Sequence, residues 1–270
     1  MGEFAKIYLY TLIMAKIDLQ KVIDIVKQTD SIFFNENLRG DVTVKGDCDF
    51  VTKADLDISD FLKNKLKEQY PEIGFISEEE KMTVEEGKSY WILDPIDGTT
   101  NFMHAMTICG VSLALYQEGE IKLGVIYAPY TNELFWAQKG GGAYLNGNKI
   151  ACSQNKTIGQ SLAALEYNAY YKEEYKSAFL QAYRIYNNFQ DIRTLGSATM
   201  ELAYVACGRL DAFLGRFLKP WDYAAAWLLI VEAGGKLGDL SGEISLFKLN
   251  RCIVATNAYI YEDFVRLLKE

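Results

Sequence analysis

Apolar residues at positions 19, 22, 23, 25 and 26 recur at helical spacing, and the pattern predicts an amphipathic helix over 18–34. The stretch 42–55 mixes strand formers with turn residues and acids, and 56–70 reads as a second helix. Ile73-Gly74-Phe75-Ile76 and Trp91-Ile92-Leu93 are short apolar runs suited to buried strands, with a polar surface loop over 81–89 between them. From 108 to 150, apolar runs over 108–116, 121–127, 133–137 and 143–145 are separated by Glu118-Gly119, Ala128-Pro129, Gly140-Gly141-Gly142 and Asn146-Gly147, which predicts an antiparallel meander. Beyond 155 the pattern alternates: strand over 162–166, helix over 171–187, strand over 189–194, helix over 197–207, and a last helix from Asp222 to Val231 stopped by Gly234. The expected class is α/β (α+β), an antiparallel N-terminal half over 1–155 and an α/β half over 156–270 packed as one unit.

Composition agrees with a sizeable core, since half of the 270 residues are apolar and 13% are aromatic. The apolar patch over 7–15 is too short to span a bilayer and weak as a signal peptide, and Met14 offers an alternative start. A net charge of −8 argues against tight nucleic-acid binding, which depends on Lys and Arg neutralising phosphates. Cys48, Cys109, Cys152, Cys207 and Cys252 are odd in number and scattered, which points away from a disulfide framework or a zinc site and toward a reducing cytoplasm. The single His104 supports neither a histidine metal site nor a Ser-His-Asp triad, and a rim or packing role is expected for it.

The chemistry concentrates in Trp91-Ile92-Leu93-Asp94-Pro95-Ile96-Asp97-Gly98-Thr99-Thr100-Asn101-Phe102. Pro95 keeps Asp94 out of helical geometry at the end of a strand, and Asp97 suits a helix N-cap. Asp94 and Asp97 can then converge on hard cations, with the Ile96 carbonyl as a further oxygen ligand, while the amides of Gly98, Thr99 and Thr100 face an anion. The plain structural alternative is a strand–turn–helix corner with a capping aspartate, and Asp55 and Asp222 admit the same alternative. An acid run at Glu78-Glu79-Glu80 precedes the motif. The Gly140–142 triplet lacks a Lys-Thr phosphate-loop pattern and reads as a hairpin turn.

The long string closely resembles the first signature of the inositol monophosphatase family, and Trp221-Asp222-Tyr223-Ala224-Ala225-Ala226 leading to Glu232-Ala233-Gly234-Gly235 resembles the second. Both stand in the family's order and rough spacing, and the resemblance continues more sparsely from Leu19 to the C-terminus. It implies a layered αβαβα sandwich, often dimeric, and Mg²⁺-dependent hydrolysis of a phosphomonoester by direct displacement. Two or three Mg²⁺ ions are implied, with Glu78, Asp94, Ile96, Asp97 and Asp222 as ligands and Asp55 helping to hold an additional ion. Glu79 paired with Thr99 would orient the attacking water, and Lys45 is the nearest match for a loop lysine. Gly98, Thr99 and Thr100 would meet the phosphoryl oxygens, and the turn at Gly196, Ser197 and Ala198 would face the substrate.

Inositol-specific members carry an acid a few residues before the Trp-Asp motif, whereas Phe213-Leu214-Gly215-Arg216-Phe217-Leu218-Lys219 carries bases. Arg216 and Lys219 suit a second phosphate, as in fructose 1,6-bisphosphate. A small polyol or sugar phosphate is therefore the expected substrate, with a bisphosphate, a nucleotide 3′-phosphate and a role as partner of transcription machinery as alternatives. Histidinol phosphate fits less well, because Thr100-Asn101-Phe102 follows the inositol-type string. A membrane or nucleic-acid partner is not expected, and a homodimer is.

Overall fold

The computed structural model describes residues 17–46, 49–167, 175–242, 244–247 and 252–269. The apolar patch over 7–15, Met14, Cys48 and positions 171–174 of the expected helix lie outside them. The expected first helix is two, α1 (Leu19–Lys27) and α2 (Asp30–Phe33), followed by α3 (Glu36–Gly40). The break falls at Thr29, whose hydroxyl donates back to the Val26 carbonyl (2.7 Å) and competes with helix continuation. A hairpin of β1 (Val42–Gly46) and β2 (Asp49–Thr52) leads into α4 (Lys53–Gln69).

The large sheet has seven strands: β3 (Gly74–Ser77), β4 (Tyr90–Asp97), β5 (Gly110–Gln117), β6 (Glu120–Ala128), β7 (Glu133–Gln138), β8 (Gly142–Leu145) and β9 (Asn148–Ile150). They lie in chain order, β3 and β4 parallel and the rest antiparallel, so the predicted meander is present. The short helix α5 (Thr99–Met103) follows β4. Next come β10 (Leu162–Tyr167), α6 (Tyr175–Asn188), β11 (Asp191–Arg193), α7 (Ala198–Ala206), β12 (Ala212–Arg216), α8 (Pro220–Glu232), β13 (Gly235–Gly238), β14 (Cys252–Asn257) and α9 (Tyr261–Lys269). Their strands form a second sheet in the order β11-β10-β12-β14-β13.

Alternation within strands sorts the core into layers. Trp91 and Leu93 of β4 pack with Val22 of α1 and Ile58 and Leu62 of α4, whereas Ile92 on the opposite face packs with Leu202 of α7 and Tyr223 and Ala225 of α8. In the second sheet Phe213 and Ile253 face α7 and α8, and Leu214 and Val254 face Phe264 of α9. The order is helices, seven-stranded sheet, α7/α8, five-stranded sheet, helices: the layered αβαβα sandwich. At Gly124 a Cβ would lie 2.5 Å from the Ala225 carbonyl, so β6 and α8 meet backbone to backbone between the layers.

The turn at 140–142 is the expected hairpin, and it has its own anion. Gly140 and Gly142 take positive φ, and their amides donate to the two carboxylate oxygens of Glu232 at 2.7 and 2.8 Å. The hairpin is thereby tied to the end of α8.

Candidate active site

Asp94 faces the α7/α8 side of β4, in line with Ile92, and pairs in register with Ser112 of β5. The register then slips between Asp94 and Asp97, where Pro95 cannot donate to the ladder, and the slip presents both acids at one strand end. Asp97 is not the expected N-cap: Gly98 is, with φ of 85°, and its amide turns back to Asp97. A Cβ on Gly98 would also lie 3.0 Å from the Gly196 carbonyl. Asp97 instead holds the other half of the molecule, since Oδ2 accepts from the Ser197 hydroxyl and from the Thr199 amide (2.7 Å) at the start of α7.

Asp55 and Asp222 also differ from expectation in one shared way. Each occupies the third position of its helix rather than the cap, and its Oδ2 accepts the backbone N–H of the cap residue, Thr52 at 2.8 Å and Lys219 at 2.7 Å. The helices start earlier than predicted because Thr52 caps α4 and Pro220 opens α8 at its first position. Thr99 is not paired with Glu79. Its hydroxyl donates to the Ile96 carbonyl (3.0 Å) and approaches Asp55 Oδ1 (3.4 Å), while Glu79 is bound by the Lys45 ammonium at 2.6 Å, a full charge that outcompetes a hydroxyl. Thr100 and His104 are exposed at the rim, and Ala198 is buried at the first turn of α7.

Arg216 is the clearest correction. Register places it beside Tyr167, and strand parity puts both on the α6 side, away from the acids; its Nη1 donates to Ser177 (3.1 Å) and Gln181 (3.3 Å), and the side chain is 8% exposed. A second phosphate in the acid pocket does not meet it. Lys219 does lie near enough to Asp222 to pull its pKa down.

The acids raise one another. Burial pushes Asp94 well up, followed by the charges of Glu78, Asp97 and Asp222. Burial and Asp222 do the same to Glu78. Asp222 is pushed up to about 8 by burial and Asp97, and Asp55 to about 6 by burial against the Thr52 hydrogen bonds. In Asp97 burial outweighs the Ser197 and Thr199 hydrogen bonds. Among the described residues no three side chains of metal-binding type stand in a ligating constellation, and Asp55, Asp97 and Asp222 each spend an oxygen on local donors. The donor set nevertheless fits a hard divalent cation. It is all oxygen, its carboxyl groups raise one another's pKa when no positive charge lies among them, and Asp94 Oδ1 is buried without a partner.

Four residues escaped the sequence reading. Asn101 Nδ2 donates to the carbonyls of Ile108 and Leu195, both 2.7 Å, stapling the first motif to the turn at 195–197. Glu201 accepts from the Leu195 amide and steadies the same turn from α7. Thr199 bridges Asp97 to the Asp222 carbonyl (2.9 Å). Glu166, an isolated acid ending an apolar strand, is pushed up to about 8 by burial, Asp97 and Asp222.

Fold and pocket together define a metal-dependent phosphatase of the layered α/β class. The family model described as the inositol monophosphatase family matches residues 10–270, and the chain belongs to that family. It is 34% identical over 223 residues to a fructose-1,6-bisphosphatase/inositol-1-monophosphatase of Thermotoga maritima (82% of this chain, 83% of that one). It is 36% identical over 239 residues to an inositol-1-monophosphatase of Caulobacter vibrioides (87% and 93%), and 33% identical over 228 residues to the Nus factor SuhB of Escherichia coli (84% and 85%). The extragenic suppressor protein suhB of Bartonella henselae superposes with a TM-score of 0.84 at 32% identity, over 92% of this chain and 98% of that one. An IMPase/NADP phosphatase complexed with Mg²⁺ and phosphate shares the fold at 24% identity and a TM-score of 0.80 (91% and 92%). Among the described residues no helix is long and apolar enough to cross a membrane.

Proposed function

We propose that this chain is a Mg²⁺-dependent phosphomonoesterase acting on a small polyol or sugar phosphate of the inositol 1-phosphate type. The observation that carries the reading is the bridge that Thr199 makes from Asp97 to the Asp222 backbone beside Asp94 at the end of β4, with Glu78 near enough for its charge to act on Asp94. These carboxylates and the Ile96 carbonyl would hold two or three Mg²⁺ ions, with Asp55 toward the additional one. Bound there, Mg²⁺ supplies positive charge for the phosphoryl oxygens and acidifies a water. Thr99, whose hydroxyl contacts the Ile96 carbonyl and Asp55, would orient that water, and Glu78 and Glu79 would flank it with Lys45 balancing their charge. Ser197 and Thr199, just after the turn at Gly196, orient Asp97 from the far half, so that 1–155 and 156–270 act as one catalytic unit, with Gly196, Ser197 and Ala198 facing the substrate. Phe179, Tyr183 and Tyr186, 64%, 66% and 58% exposed along one side of α6, offer an apolar face for a homodimer. A cytoplasmic setting suits the reduced thiols of Cys109, Cys152 and Cys207.

Asp97→Asn is expected to abolish Mg²⁺-dependent phosphate release with the fold intact, and near-normal turnover in that variant sinks the reading. The likeness to a Nus factor supports a second reading, binding to transcription machinery, which a pull-down independent of both Mg²⁺ and Asp97 would favour. The name of the Thermotoga relative keeps fructose 1,6-bisphosphate as an alternative substrate, and a nucleotide 3′-phosphate is a further one.

A further inference from the structure

Glu166 lies one residue from the end of β10, and the parallel register sets it beside Gly215 of β12. Parity puts it on the face of Ala164 and Phe213, which pack against α7 and α8, and opposite to Tyr167 and Arg216. Its carboxylate therefore stands on the side of the sheet that carries Asp97 and Asp222, near enough for both charges to act on it. Oε2 is buried and has no hydrogen-bond partner. Gly215 contributes nothing to this spot. A Cβ there would lie 2.6 Å from Leu218 Cδ1 and 2.7 Å from the Phe213 ring, both in the buried core.

A buried carboxylate oxygen without a donor is costly, so something from outside the described chain has to supply one. The surroundings decide what that is. The charged side chains that act on Glu166 are themselves carboxylates, and the Arg216 guanidinium is on the other face. Above about pH 8, where the test is run, Glu166 is ionised: a phosphate set against it would press anion on anion, whereas a hydroxyl brings the missing donor and no charge.

We infer that Glu166 receives the hydroxyl-bearing part of the substrate and keeps a second phosphate out of that end of the pocket. The inference rests on the phosphomonoesterase reading above and names the residue that would select, within it, a monophosphate whose organic part carries hydroxyls near the ester. Selection comes from β10 rather than β12, where Gly215 has no side chain to offer.

The test uses the full chain at saturating Mg²⁺, with kcat and KM measured for inositol 1-phosphate, phenyl phosphate and fructose 1,6-bisphosphate. In Glu166→Ala, the ratio of KM for inositol 1-phosphate to KM for phenyl phosphate rises about tenfold or more, the worth of one hydrogen bond to a charged acceptor. Glu166→Gln keeps its shape and an acceptor oxygen but loses the charge. It preserves part of the preference, lowers KM for the bisphosphate, and carries the test if the alanine variant does not fold. Equal changes for the two monoesters overturn the inference. So does a shift in Mg²⁺ half-saturation with the KM ratio unchanged, which would make Glu166 a metal ligand. A wild-type chain that releases phosphate from neither monoester overturns the phosphomonoesterase reading itself, and is told apart from a failure of Glu166 alone.

Discussion

The hydroxyl of Ser197 donates to Oδ2 of Asp97 across 100 residues of sequence, joining the bulged end of β4 to the first turn of α7. The same hydroxyl accepts from the Met200 amide (3.4 Å), so one side chain caps a helix and holds an acid of the pocket. Ser197→Ala is expected to lower stability by about 1–3 kcal/mol, through the lost cap and a buried carboxylate left short of a donor. Urea unfolding of the metal-free protein measures it, and an unchanged midpoint would show that Thr199 alone suffices.

Arg216→Ala should act on stability rather than on substrate choice. The guanidinium fastens β12 to Ser177 and Gln181 of α6, and its aliphatic part fills buried space. A fall in Tm with equal KM changes for mono- and bisphosphates is the expected result. A selective rise for bisphosphates would return Arg216 to the substrate.

Much of this arrangement was legible because it is local. Pro95 and Gly98 announce the corner that presents Asp94 and Asp97, and the repeated turn residues between 108 and 150 announce the meander. Caps at Asp55 and Asp222 lie three residues from those observed because an aspartate at the third helical position reads in sequence much like one at the cap, and at Asp97 the left-handed Gly98 takes the cap one residue later. Arg216 was misassigned because strand parity is invisible until register is known. Asn101 and Glu201 act through contacts to the turn at 195–197 that no short window contains, whereas Glu166 gave one signal, a lone acid in Leu162-Ala163-Ala164-Leu165-Glu166.

The raised carboxyl groups make metal-free stability depend on pH in a definite sense. The folded pKa of Asp55 is about 6 and that of Asp222 about 8, both above the ordinary 3.8, so the folded chain holds protons that the unfolded chain has released. That contribution is complete below 3.8 and is lost as pH rises through 6 to about 8. In EDTA, Tm should therefore fall between about pH 5 and about pH 9, while excess Mg²⁺, which binds the ionised acids, should raise Tm more at the alkaline end. Parallel curves with and without Mg²⁺ would contradict this, and Asp222→Asn should flatten the upper part of the metal-free curve.

Glu232→Ala removes the anion held by the Gly140 and Gly142 amides at the end of α8. The site is partly exposed, so the loss should be modest, about 1 kcal/mol, with kcat and KM unchanged. A large effect on KM would mean that the glycine turn has a role in the pocket after all.

The most direct measurement is phosphate release from inositol 1-phosphate by the wild type and by Asp97→Asn, with Mg²⁺ and with EDTA, after circular dichroism has matched their folds. Turnover by the wild type that requires Mg²⁺ and disappears in Asp97→Asn is the predicted result. Turnover that survives either EDTA or the loss of the Asp97 charge contradicts the metal-dependent carboxylate site.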